Sequence, residues 1–103
     1  MANIRKIMCC CGSGLGSSLM VQMNIQKALK NLGIEGVEAD HTSLSEINVK
    51  SADLFVVGRD IAPQLKDYPR VVVLNKIMSM VELTEKLEQA FAIEGDEIHI
   101  GQE

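Results

Sequence analysis

An α/β domain built on a parallel sheet is what this sequence predicts, and two observations carry the prediction. Four short apolar runs alternate with stretches of helical periodicity, the pattern of strands joined by crossover helices. Two of those runs, residues 54–57 and 71–74, are apolar at every position, as in strands buried beneath helices on both faces of a sheet. A length of 103 residues suits one domain with a single core, residues 1–103. With 47% apolar and 23% charged residues, the composition is globular.

Taken in order, residues 4–10 form the first strand. Val21, Ile25, Ala28, Leu29 and Leu32 then recur at helical spacing, with Gln22, Gln26, Lys27, Lys30 and Asn31 on the other side, and Gly33 ends that helix. Residues 34–40 form a weaker second strand. Ser43 and Glu46 have the spacing of a capping box for a short helix. The third strand is 53–57, after which Asp60 caps a third helix that takes Pro63 in its first turn. The fourth strand is 70–74. A last helix over 79–93 puts Leu83, Leu87, Ala90 and Phe91 on one face, opposite Glu82, Glu85, Lys86 and Glu88. Residues 94–103 are acidic and are expected to be a loosely ordered tail. Right-handed crossovers give an open four-stranded sheet of order 2-1-3-4, with the loop after the first strand at the topological switch point where such folds bind ligands.

Composition excludes several functions. Two Phe, one Tyr and no Trp offer little stacking surface, and a net charge of -4 repels phosphate backbones, so nucleic acid is not expected as a partner. No apolar run approaches the ~20 residues of a membrane span, and the N-terminus leads into a strand rather than a signal peptide; a cytoplasmic protein is expected. Cys9, Cys10 and Cys11 are consecutive, which suits neither mutual pairing nor a zinc half-site. Neither metal nor cofactor is expected, and the cluster points to thiol chemistry.

That chemistry centres on Cys11. It opens the run Cys11, Gly12, Ser13, Gly14, Leu15, Gly16, Ser17, Ser18, between the first strand and the first helix. Three glycines let the backbone curl and turn its N–H groups inward, forming an anion nest backed by the positive end of a helix dipole; the serines add hydroxyl donors. The same nest stabilises a thiolate before reaction and a phosphate after it.

Spacing separates the families that share a strand, glycine loop and helix. A dinucleotide fingerprint needs a third glycine where Ser17 stands, and a nucleotide P-loop needs a lysine that does not follow Gly16. Low-molecular-weight tyrosine phosphatases place an arginine at the position of Ser17 to clamp the transferring phosphate. Without that guanidinium, hydrolysis should weaken while backbone N–H groups can still hold a phosphorylated cysteine.

The run from Cys11 to Met23, after an apolar strand in a chain of this length, resembles the enzyme IIB component of the bacterial sugar phosphotransferase system. It resembles the ascorbate-type branch most, near the galactitol-type proteins. The resemblance implies a Rossmann-like, phosphatase-like fold and a phosphotransferase. It implies that Cys11 accepts phosphate from a phosphohistidine on enzyme IIA and passes it to a substrate, ascorbate, imported through the membrane component IIC. Residues 12–18 would be the cradle. Neither a IIA-like nor a IIC-like segment is attached, so a separate subunit is expected. A cysteine-dependent phosphatase, a galactitol or other sugar-specific IIB, and a regulatory anion-binding module stay open as alternatives.

Other residues divide between structure and chemistry. Cys9 and Cys10, in the last turn of a buried strand, read as small core residues. His41, just after the second strand, could assist proton or phosphate transfer, but a lone loop histidine is commonly just solvated. Arg59, after the third strand, could meet the phosphate or simply face water. Leu15, Leu19, Met20 and Met23 form an apolar shoulder, part core and part docking surface.

Overall fold

A computed structural model describes residues 4–10, 15–42, 46–65, 67–76, 79–93 and 97–100, with the backbone alone at 15–18. Five parallel strands form one sheet in the order β2-β1-β3-β4-β5. They are β1 Lys6–Cys10, β2 Glu38–His41, β3 Leu54–Gly58, β4 Arg70–Leu74 and β5 Ile98–Ile100. The helices are α1 Leu15–Asn31, α2 Met80–Ala92 and a 3-10 helix, Ala62–Leu65. The predicted fold class and the inner order 2-1-3-4 hold.

Local signals set the helix ends. Gly33, at φ 73°, takes the left-handed conformation after α1, and the Ile34 N–H reaches back to the Leu29 carbonyl at 2.9 Å while the Gly33 N–H reaches Lys30 at 3.1 Å. This pair of bonds is a Schellman closure. Ser79 caps α2, its hydroxyl accepting the Glu82 N–H at 3.2 Å. Leu83, Leu87, Ala90 and Phe91 are all buried, as their spacing predicts.

The two faces of the sheet are covered differently. Ile7, Cys9, Leu54, Val56, Val72 and Leu74 pack with Val21 and Ile25 of α1 and with Leu83 and Leu87 of α2. Met8, Cys10, Phe55, Val57, Val71 and Val73 lie in a second cluster with Ile61 and Leu65, flanked by Ile47 and Tyr68. Both α-helices therefore sit on one face, which corrects the expectation of helices on both. The β3–β4 connection, residues 59–69, is at the short limit for a parallel crossover. It carries Pro63 and closes as a 3-10 turn, which tolerates what a longer helix would not. That turn opens with the Ile61 N–H on the Gly58 carbonyl at 3.1 Å; Asp60 is exposed and does not cap it.

Two further expectations change. Ser43 lies outside the described residues, and residues 46–51 run in turns rather than a helix: the Asn48 side chain accepts the Lys50 N–H at 2.8 Å, and the Ser51 N–H meets the Asn48 carbonyl at 2.9 Å. The expected loose tail supplies β5, whose Ile98 and Ile100 are buried and whose Ile98 N–H donates to the Pro69 carbonyl at 2.7 Å. The alternation Ile-His-Ile is a strand signal, and it lets the tail seal the sheet beside β4.

A polar staple ties α2 to the end of β4. The Glu82 carboxylate accepts the N–H groups of Asn75 at 2.7 Å and Lys76 at 2.8 Å and the Lys86 ammonium at 2.7 Å. Lys86 also donates to the Val73 carbonyl at 2.6 Å. Burial acts to raise the Glu82 carboxyl. The Lys86 bond, the two backbone bonds and the Lys86 charge outweigh it and hold the group below its ordinary value of 4.5. A carboxyl lowered by folding contributes stability above its unfolded pKa and loses it as pH falls through the folded one. Glu82→Gln should therefore melt below the parent at pH 7, and the gap should close as pH drops below 4.5. Melting curves whose separation stays constant down to acid pH would count against the staple.

Candidate functional site at the carboxyl edge of the sheet

β1 ends at Cys10 and α1 begins at Leu15, so the connection between them enters at the carboxyl edge, beside the switch in strand order. Cys11, Gly12, Ser13 and Gly14 lie outside the described residues. Leu15, Gly16, Ser17 and Ser18 form the first turn of α1. The first four N–H groups of a helix have no partner within it, and they sit at the positive end of its dipole. The last half of the predicted cradle thus coincides with the part of a helix best suited to an anion.

The neighbouring thiols are core. Cys9 and Cys10 are each 0% exposed and fall in the clusters on opposite faces of the sheet. The Cys9 thiol donates to the Asp40 carbonyl at 3.3 Å.

His41 is not a solvated loop residue. It closes β2, opposite Cys9 in the ladder, and is half-buried. Its Nδ1 bonds the Gln22 side-chain oxygen, and the Gln22 amide nitrogen donates to the Ala39 carbonyl at 3.0 Å. Sequence reasoning placed Gln22 on the outer side of α1, because its partners lie on a strand that its own spacing does not reveal. Arg59 is exposed, one residue beyond β3; its N–H donates to the Leu74 carbonyl at 3.2 Å, which anchors the backbone and leaves the guanidinium to solvent. Of the apolar shoulder, Leu19, Met20 and Met23 are exposed at 46%, 54% and 49%. Among the described residues no group of three or more His, Cys, Asp or Glu could hold a metal, and no helix is long and apolar enough to cross a membrane.

An all-parallel sheet whose first β–α connection enters at the switch point defines the class of open α/β domains that handle ligands at the carboxyl edge. Within that class the chain belongs to the IIB subunits of the phosphotransferase system: the family model described as "PTS system, Lactose/Cellobiose specific IIB subunit" matches residues 6–91. It is accordingly a phosphotransferase component. Among solved structures it is similar to the lactose-specific IIB component domain of the phosphoenolpyruvate:carbohydrate phosphotransferase system from Streptococcus pneumoniae, with a TM-score of 0.55 and 17% identity over 85% of this chain and 91% of that one. At that identity the likeness is one of fold. No curated protein sequence matches the chain.

Proposed function

We propose that Cys11 is the phosphate carrier of this IIB subunit. The observation that supports it is the run Cys-Gly-Ser-Gly-Leu-Gly-Ser-Ser, which joins the end of β1 to the N-terminus of α1. The Cys11 thiolate attacks the phosphorus of a phosphohistidine on IIA. An S–P bond forms as the P–N bond breaks, and a hydroxyl of the substrate held by IIC then displaces the thiolate. Gly12, Ser13, Gly14 and the N–H groups of residues 15–18 hold the phosphate oxygens through both steps, by positioning and hydrogen bonding. Ser17 supplies no guanidinium for hydrolysis, so the phosphocysteine persists until an acceptor arrives.

The substrate proposed is ascorbate, because the glycine spacing after Cys11 resembles the ascorbate-type branch, with galactitol next. A second reading, a lactose- or cellobiose-type disaccharide, is favoured by the description of the matching family. Membrane vesicles bearing an ascorbate-type or a lactose-type IIC separate the two by which sugar acquires label. For the carrier step, phosphate from a reconstituted donor chain should mark Cys11 with a bond of thiophosphate stability. Steady hydrolysis of an aryl phosphate without lasting label would instead indicate a phosphatase, and anion binding without label a regulatory module.

Leu19, Met20 and Met23 give α1 an exposed apolar ridge beside this edge, suited to protein partners that dock in turn. Met20→Asp should raise the KM for phospho-IIA about tenfold while leaving the fold intact. Unchanged transfer kinetics would place the partner elsewhere.

A further inference from the structure

β2 is an outer strand of the sheet, bonded to β1 on one side only. Backbone groups alternate in direction along a strand. The Glu38 N–H donates to the Arg5 carbonyl at 2.9 Å and the Thr42 N–H to the Cys9 carbonyl at 3.1 Å, so residues 38, 40 and 42 address β1 while Ala39 and His41 turn their backbone groups outward. A row of outward N–H and C=O groups is a template on which another chain can add a strand.

Side chains of the same molecule already occupy that row. The Gln22 amide nitrogen, reaching over from α1, donates to the Ala39 carbonyl at 3.0 Å, and the Asp40 carboxylate accepts the His41 N–H at 2.8 Å. Only the nitrogen of the Gln22 amide can donate to a carbonyl, which leaves its oxygen to accept from Nδ1 of the half-buried His41 ring, so the amide is held in one orientation. Lys6, whose ammonium is 3.9 Å from the other Asp40 oxygen, holds that carboxylate from the β1 side. Exposed Glu38 adds a further charge along the strand, a common guard of sheet edges. The opposite edge is closed by brevity: β5 has three residues, and the Ile98 N–H addresses the Pro69 carbonyl, so among the described residues only His99 of that strand turns its backbone outward.

We propose that Gln22 and Asp40 are caps on the β2 edge, with His41 positioning the Gln22 amide, and that they keep a second copy of this chain from adding to the sheet. A strand arriving beside β2 needs the Ala39 carbonyl and the His41 N–H as partners and finds both taken. Displacing the caps strands the Gln22 amide and the His41 ring without the bonds they now make, which sets a cost against the pairing gained. Both caps are firmly carried. Asp40 serves the next residue of its own strand, and Gln22 stands on a helix that the fully buried Val21 and Ile25 fix to the sheet.

The test removes the caps from the full chain. Gln22→Ala opens the Ala39 carbonyl and Asp40→Ala the His41 N–H. In analytical ultracentrifugation the double variant should self-associate at concentrations about tenfold or more below the parent, the scale set by two hydrogen bonds made available at the edge. Hydrogen exchange should then show the Ala39 N–H, which points away from β1, gaining protection as the variant associates. A double variant with unchanged circular dichroism whose association curve overlays the parent's would overturn the proposal. Association without new protection along β2 overturns it equally, because the contact then lies on another surface. Side-chain NMR of the unmodified protein gives a check that does not depend on any variant folding. The Gln22 amide protons should exchange with water more slowly than those of exposed Gln26, and equal rates sink the idea.

Discussion

Cys11→Ser is expected to lower phosphate acceptance from phospho-IIA by more than about 10⁴-fold, the scale on which loss of a nucleophile acts. A thiol of pKa ~8.5 is already a few per cent ionised at neutral pH, and each unit of lowering adds ~1.4 kcal/mol of preference for the thiolate. A serine hydroxyl offers no comparable anion, so the N–H groups at the start of α1 have nothing to stabilise before attack. The comparison that gives the result meaning is Cys9→Ala or Cys10→Ala. Both side chains are fully buried, so these variants should cost stability through lost packing and still take up label. The measurement is radiolabel from a reconstituted donor chain, mapped by peptide mass. Label that persists in Cys11→Ser would move the carrier to another residue.

What the sequence disclosed and what it concealed follow from the range of the forces involved. β4 matches its predicted bounds at both ends, because an unbroken Val run between charged and polar neighbours is a purely local signal. α2 was legible for the same reason: Ser79 announces the start, and four apolar residues at helical spacing announce the buried face. β5 was hidden in an acidic stretch where three residues suffice, since its pairing with β4 and the burial of Ile98 and Ile100 depend on residues distant in sequence. The one-sided placement of the helices was hidden too. Continuous apolar strands show only that both faces are covered, and here turns, a 3-10 helix and Tyr68 do the covering on one of them.

The site divides along the same line. The proposed cradle after Cys11 rests on glycine and serine spacing, a local signal that the sequence carries by itself. The surroundings of His41 were not legible in that way, since Gln22 and His41 are brought together only when α1 packs over β2. Whether a histidine at that position is solvent-facing or held by a partner depends on that packing, which neither residue's own neighbours encode.

Phe55→Ala should be the most destabilising single truncation on the face that lacks α-helices, costing about 3–5 kcal/mol. Phe55 lies in the middle strand of the sheet, is 2% exposed, and meets Tyr68 edge to face at a centroid distance of 5.0 Å. Removing the ring loses both its transfer free energy and the aromatic contact. Its neighbours Ile61, Leu65 and Tyr68 hang from the short β3–β4 connection, which the ladder pins at both ends, and so cannot collapse far into the space left behind. Against a total stability of about 5–15 kcal/mol, the loss should depress Tm by more than about 10 °C. The exposed Val81 on α2 supplies the contrast, because Val81→Ala removes little buried surface and should leave Tm nearly unchanged. Thermal unfolding followed by circular dichroism decides it. A Phe55→Ala protein that melts within a few degrees of the parent would mean that the loop-covered face contributes little, and that the helix-covered face alone holds the sheet together.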